Sequence, residues 1–183
     1  MLAPKAGRRL ELVQGLPWAA DNGCFTTAWD ADAWHRWLRC MQPRQASCLF
    51  AVVPDVVGSA RATRERWDEY AAIPRRLGYR LAYVLQDGEC VDEVPWSDLD
   101  AVFAGGTTAW KLSEQAYTLA RRANRLGLWS HMGRVNSQRR LRAAYAAGYC
   151  SADGTYMAFN PVEGLDRIGG FLLAQRQQAA LWR

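Results

Sequence analysis

Carboxylates recur in this sequence where apolar runs stop. Asp21 follows Ala19-Ala20, Asp55 follows Val52-Val53-Pro54, Asp87 follows Val84-Leu85-Gln86, and Asp153 follows Ser151-Ala152. Two further runs end on Phe103-Ala104-Gly105-Gly106 and on Trp129-Ser130-His131-Met132-Gly133-Arg134. In a β/α barrel the C-terminal ends of the strands meet on one rim, so these clusters would converge. Three or four carboxylates, the Gln86 amide and a paired glycine are an active-site composition. The chain has only two histidines, so acid–base work is expected to fall to the carboxylates.

Each residue also has a local explanation. Asp21 in Asp-Asn-Gly reads as an Asx-turn, and Asp55 after Pro54 as the end of a strand. Asp87 reads as a turn residue, and Asp153 in Asp-Gly-Thr as a cap for the following turn. Residue type alone leaves both kinds of explanation open.

The elements that must position these residues can be read from periodicity. Trp34, Trp37, Leu38 and Met41 recur at helical spacing over 30–41, and the run stops before Pro43. Ser59 is expected to cap a second helix running to about Ile73 and stopped by Pro74. Ser113 caps a third, ended by Gly127, and Ser137 a fourth, ended by Gly148. A last helix covers roughly Leu165 to Leu181. The apolar runs lie between these helices, and only the connection near Pro95–Leu99 is too short for a full one. The expectation is an α/β fold: a TIM-barrel-like (β/α) domain shortened to about six or seven βα units, with residues 1–17 as an N-terminal strand or cap. A single domain is expected from the 183-residue length, with no linker and no internal repeat.

Composition narrows the function classes. Half of the residues are apolar, which predicts a globular fold rather than disorder. No apolar run approaches the length of a membrane span and no signal-peptide core is present, so the expected location is the cytoplasm. Five dispersed cysteines give neither a disulfide framework nor zinc-ligand spacing. Net charge is +5, with Arg121, Arg122, Arg125, Arg134, Arg139, Arg140 and Arg142 crowded into 22 residues. Such a cluster suits a polyanion or forms a solvated helix face. Arg134, Asn136, Ser137 and Arg139 open a helix, where backbone N–H groups and arginines make a phosphate site. Of the aromatics, Phe25 and Trp110 could stack on a base, with core packing as the plainer use of either.

As an ordered set the rim motifs resemble the tRNA-guanine transglycosylase superfamily, in its divergent phage and DNA-modification branch. Asp21-Asn22-Gly23-Cys24-Phe25 resembles that family's Asp-Ser-Gly-Gly-Phe/Tyr, and Pro54-Asp55 its guanine-reading Asp. Leu85-Gln86-Asp87-Gly88 resembles Val-Gln-Gly, and Phe103-Ala104-Gly105-Gly106 its Gly-Gly pair. His131-Met132-Gly133 resembles Leu-Met-Gly, and Gly148–Asp153 resembles Gly-x-Asp-x-Phe-Asp.

The resemblance implies a TIM barrel that exchanges guanine in nucleic acid for a 7-deazaguanine through an aspartyl glycosyl-enzyme, with no cofactor and no metal. Asp153 would be the nucleophile and Asp21 the proton-transferring group. Asp55 would accept from N1 and the exocyclic amine of the base. Gln86 and the N–H groups of Gly105 and Gly106 would hold its other polar atoms. The family's first two strands and its zinc-binding insertion have no counterpart, so DNA is favoured over tRNA as the partner. A homodimer or a partner subunit would be one way to complete the barrel. Two alternatives remain: an N-glycoside hydrolase on the same carboxylates, or a catalytically weak nucleic-acid-binding subunit.

Overall fold

The computed structural model describes residues 1–4, 15–25, 29–155 and 161–180, with side chains to 175 in the last segment. Six strands, β1 (Trp18–Ala20), β2 (Cys48–Val52), β3 (Leu81–Leu85), β4 (Ala101–Ala104), β5 (Trp129–Met132) and β6 (Ser151–Ala152), form one sheet in sequential order. Every neighbouring pair is parallel. Sequential parallel order means each crossover returns one place further along, as in a barrel wall. The α/β, TIM-barrel-like expectation is met with six strands.

The sheet curls. Phe50 on β2 and His131 on β5 have ring centroids 5.6 Å apart, although β3 and β4 lie between them. Three strand spacings in a flat sheet would separate them by about 14 Å. The inner face therefore folds back on itself. Alternation along the strands assigns the two faces: Ala82, Val84, Ala101 and Phe103 pack inside with Ala19, Phe50 and Val52. Leu81, Tyr83, Leu85, Val102 and Ala104 pack outward with Trp67, Leu119 and Ala123 of the helices.

The helices begin where the sequence places them. α1 (Ala31–Met41) is capped by Asp30, whose side chain accepts from the Ala33 N–H. α2 (Ala60–Tyr70) is capped by Ser59, and Pro74 does not stop the chain there. It sits in the first turn of a short α3 (Ala72–Arg76), where a missing N–H costs no helical bond. α4 (Thr108–Lys111), capped by Thr107, is a further turn that the periodicity does not reveal. α5 (Glu114–Arg125) and α6 (Gln138–Ala146) are capped by Ser113 and Ser137. α7 spans Pro161–Ala180, starting four residues before the expected Leu165; the expected end at Leu181 lies outside the described residues. Between β3 and β4 a 3₁₀ turn, Val91–Glu93, replaces a helix.

At the N-terminus, Leu2 forms a parallel bridge with Ala20, donating its N–H to the Ala19 carbonyl and accepting from the Asp21 N–H. Most of the expected strand or cap, residues 5–14, lies outside the described residues. Among the described residues no strand pairs with the free edge of β6, and no helix is long and apolar enough to cross a membrane.

Phe50 is fully buried at the point where the curled inner face meets itself. Phe50→Ala is expected to cost about 3–5 kcal/mol. Urea denaturation should show a lower midpoint with an unchanged slope.

Candidate active site

The C-terminal strand ends converge on one cavity of about 170 Å3, whose walls include Asp21, Asp55, Asp153, Gly105, Arg134 and Phe25, with Val52, Val84 and Phe103 beneath. Three carboxylates from the ends of β1, β2 and β6 thus face a common space.

Asp153 is the most firmly held. Its Oδ1 accepts the Arg134 N–H at 2.6 Å and lies 3.8 Å from His131 Nε2. Its carbonyl accepts the Val135 N–H. Burial pushes the carboxyl up, but the facing His131 ring and the Arg134 N–H outweigh it and hold Asp153 below the usual carboxylate value. Asp21 behaves oppositely. Burial, opposed by the Gly23 N–H and reinforced by the charge of Asp153, raises its carboxyl. Its Oδ1 accepts the Gly23 N–H at 3.0 Å, so the Asx-turn is real and coexists with a place in the cavity.

Asp55 is buried beside two amides. Asn22 Nδ2 donates to one carboxylate oxygen at 2.7 Å and Gln86 Nε2 to the other at 2.6 Å. Burial raises its carboxyl despite the Asn22 bond, and the charge of Asp21 adds to the rise. Gln86 is 0% exposed and accepts the Gly58 N–H at 2.9 Å through Oε1. It stands behind Asp55 and orients it. Asn22, which the sequence motif does not mark, does the same from the other side and also donates to the Val53 carbonyl.

The Gly105 and Gly106 N–H groups are directed elsewhere than expected. Both donate to the Leu85 carbonyl, at 3.0 and 3.2 Å, as the chain leaving β4 curls over the end of β3. The missing side chains still matter. A Cβ on Gly105 would come within 2.5 Å of Val84 Cγ1, and one on Gly106 within 2.7 Å of Trp110. Glycine is needed here for close packing.

Arg134 departs most from its expected role. It has φ 58°, a left-handed conformation unusual for a residue with a side chain. Its guanidinium Nη2 donates to the Gly105 and Gly106 carbonyls at 2.7 and 2.9 Å and lies over the Phe25 ring, 4.7 Å from its centroid. It therefore lines the cavity, with Nη2 committed to the two glycine carbonyls. Asn136 accepts the Thr155 N–H and Ser137 caps α6. Asn136 and Arg139 are the exposed members of this group. The arginine cluster is likewise divided: Arg140 donates to the Arg134 carbonyl, Arg122 lies over Trp96, and Arg121 pairs with Glu114.

Of the two candidate stacking aromatics, Trp110 is core. Phe25 is 69% exposed at the cavity wall, which overturns core packing as its use. Asp87 is a turn residue, bound to Thr107 through both its N–H and hydroxyl. Sequence reasoning passed over His131. Alternation on β5 could have placed it inward, because Met132 packs outward and a Cβ on Gly133 would strike Phe103. Among the described residues no group of three or more His, Cys, Asp or Glu could hold a metal ion.

The folded state binds the Asp21 proton more tightly than the unfolded chain does. Stability is therefore lost as pH rises through the carboxylate range. Asp21→Asn keeps the turn acceptor and removes the charge. Its thermal midpoint should exceed the parent's at pH 7, by ~2–4 °C per kcal/mol recovered. The gain should vanish at about pH 3, where the Asp21 carboxyl is largely protonated in the folded and the unfolded chain alike; calorimetry at the two pH values decides it.

No protein-family model and no curated protein matches the sequence. Solved structures are similar in fold at low identity. A c-di-GMP complex of the PaMucR phosphodiesterase is 13% identical, with a TM-score of 0.48, over 81% of this chain and 64% of that one. The Bacillus subtilis YkuI protein, with an EAL domain, is 11% identical, with a TM-score of 0.48, over 89% and 45%. An HpcH/HpaI aldolase from Desulfitobacterium hafniense is 13% identical, with a TM-score of 0.44, over 87% and 86%. The chain thus spans less than two thirds of the first two.

Proposed function

We propose that this chain is a base transglycosylase that exchanges guanine for a 7-deazaguanine-type base in nucleic acid, with DNA favoured over tRNA. One observation carries the reading: a held, charge-stabilised Asp153 and an Asp21 of raised proton affinity line the same cavity, with Asp55 on a third wall. Two carboxyls driven apart by their surroundings are the usual signature of a nucleophile and its acid–base partner.

The roles follow. The Asp153 carboxylate attacks C1′ of the sugar as the bond to the purine nitrogen breaks, and the bond's electron pair leaves with the base. Asp21, whose proton affinity burial raises, acts in its protonated form and gives a proton to the departing base. The incoming base then attacks C1′, the ester bond to Asp153 breaks, and Asp21 takes the proton that the new base loses. Asp55 reads the guanine edge. Asn22 and Gln86 occupy one lone pair on each oxygen, leaving a second for the ring N–H and the exocyclic amine. With the two glycine N–H groups committed to Leu85, the remaining donors of Arg134 serve the base's carbonyl oxygen. A cavity of about 150 Å3 takes a benzene ring; this one, open at its mouth, is on the scale of a flipped or single-stranded base.

Incubation with radiolabelled guanine and, separately, duplex DNA, single-stranded DNA or bulk tRNA tests the reading. Label should enter a DNA pool. Entry into tRNA would move the substrate, and release of free base without incorporation would make the enzyme a hydrolase. Nucleic-acid binding with no label anywhere would favour the partner-dependent subunit. Asp153→Asn should reduce exchange by at least 10³-fold with the fold intact by circular dichroism. Asp55→Ala should lower discrimination between guanine and adenine by about 10–100-fold, the loss expected when one paired recognition contact disappears, measured by competition.

A further inference from the structure

The His131 ring is 4% exposed and enclosed on every side. Phe103 of β4 stacks on it at 4.9 Å and Phe50 of β2 meets it edge-on. Its Nδ1 lies 2.7 Å from Ser151 Oγ on β6. Its Nε2 is buried, has no hydrogen-bond partner, and lies 3.8 Å from Asp153 Oδ1. The groups around the ring favour one tautomer. Trp129 Nε1 can only donate, and it donates to Ser151 Oγ at 2.7 Å. Ser151 keeps its own O–H, which it can give to Nδ1. A bare lone pair on Nε2 would face the Asp153 carboxylate, whereas an N–H there is attracted to it, so the surroundings favour the proton of the neutral ring on Nε2. The family motif resembled here has Leu at this position, so the dyad is this chain's own feature.

We propose that His131 is the positioning residue of Asp153, a buried Nε2–H donor held in one tautomer by Ser151 and Trp129 and aimed at the nucleophilic carboxylate. The proposal rests on the transglycosylase reading for what Asp153 does, and on geometry alone for the dyad. The two phenyl rings leave His131 no room to turn, so a small movement of the carboxylate toward substrate or back alters the Nε2–Oδ1 separation. When the ester bond to C1′ breaks and its electron pair returns to Asp153, the N–H meets the charge that reforms. His131 exchanges no proton in either half-reaction. Arg134 contacts the same carboxylate through its backbone N–H. The charges of Asp21 and the Met1 α-amino group also act on it, and Lys111 responds to it in turn.

The chain has two histidines, so its imidazole spectrum is simple. In ¹⁵N–¹H correlation spectra of the whole protein, the His131 signals, assigned by their loss in His131→Leu, should show the Nε2–H tautomer at high pH. Carbon-detected titration of the Asp153 carboxyl, assigned by its loss in Asp153→Asn, should move upward in His131→Leu. It should move less in His131→Gln, whose amide can still donate. Should His131→Leu not fold, Ser151→Ala provides the same test, with loss of the single tautomer and an upward shift of Asp153. An Nδ1–H tautomer, or an Asp153 titration unmoved by these changes, would overturn the proposal. In base exchange the acid limb of the pH profile should move up in His131→Leu by the same interval as the carboxyl titration, and an unmoved limb would count against the dyad. Absence of exchange in the parent would sink the transglycosylase reading alone, since the two spectroscopic measurements still decide the role of His131.

Discussion

A carboxylate that stays charged inside a barrel needs a donor fixed before it arrives, and here that donor is the Arg134 backbone N–H. Its direction depends on a left-handed backbone that costs a residue with a Cβ about 1–3 kcal/mol. Neighbouring groups hold this conformation in place. Lys111 Nζ donates to the Gly133 carbonyl at 2.6 Å, Arg140 to the Arg134 carbonyl, and the Arg134 guanidinium to the two glycine carbonyls. Hydrogen bonds from charged groups contribute about 1.5–3 kcal/mol each, enough to offset the strain. Lys111 gives up something for this role: burial, with Arg134 and Arg140 nearby, pushes its amine down to about 8.

The other two carboxylates are held by neutral amides. Asn22 and Gln86 fix Asp55 without compensating its charge. Three acidic groups therefore share a small space with unequal support, and their proton affinities separate accordingly. Asp153 has a backbone donor and a histidine, whereas Asp21 has the turn N–H groups of Gly23 and Asn22 and a like charge opposite. The inequality is the chemically useful part, because identical carboxylates could not divide the work of nucleophile and proton carrier.

Alternation and capping made the strand order, the sheet and most helix starts legible, because they are local properties of sequence. That Asp21, Asp55 and Asp153 face one cavity was legible too, since parallel strands present their ends together. What each N–H and side chain does there was not. The glycine N–H groups go to Leu85 because β3 and β4 end side by side, a matter of register. Arg134 points inward because of one dihedral angle. His131 looked like a motif variant; its role depends on residues brought from β2, β4 and β6.

The inner layer explains why a histidine stands at that position. Ala19, Ala82 and Ala101 are too small to fill a curled sheet, and Phe50 and Phe103 occupy the space they leave. A third ring completes the stack and must be flat to lie against Phe103 at 27°. An aliphatic side chain would fill the gap, but it would present nothing to Asp153. A carboxylate there would add a fourth acidic group to a site already raising two of its acids. Imidazole alone among the side chains combines a packable ring with a donor at one end and an acceptor at the other. The same ring thus closes the fold's interior and faces the charge at its rim.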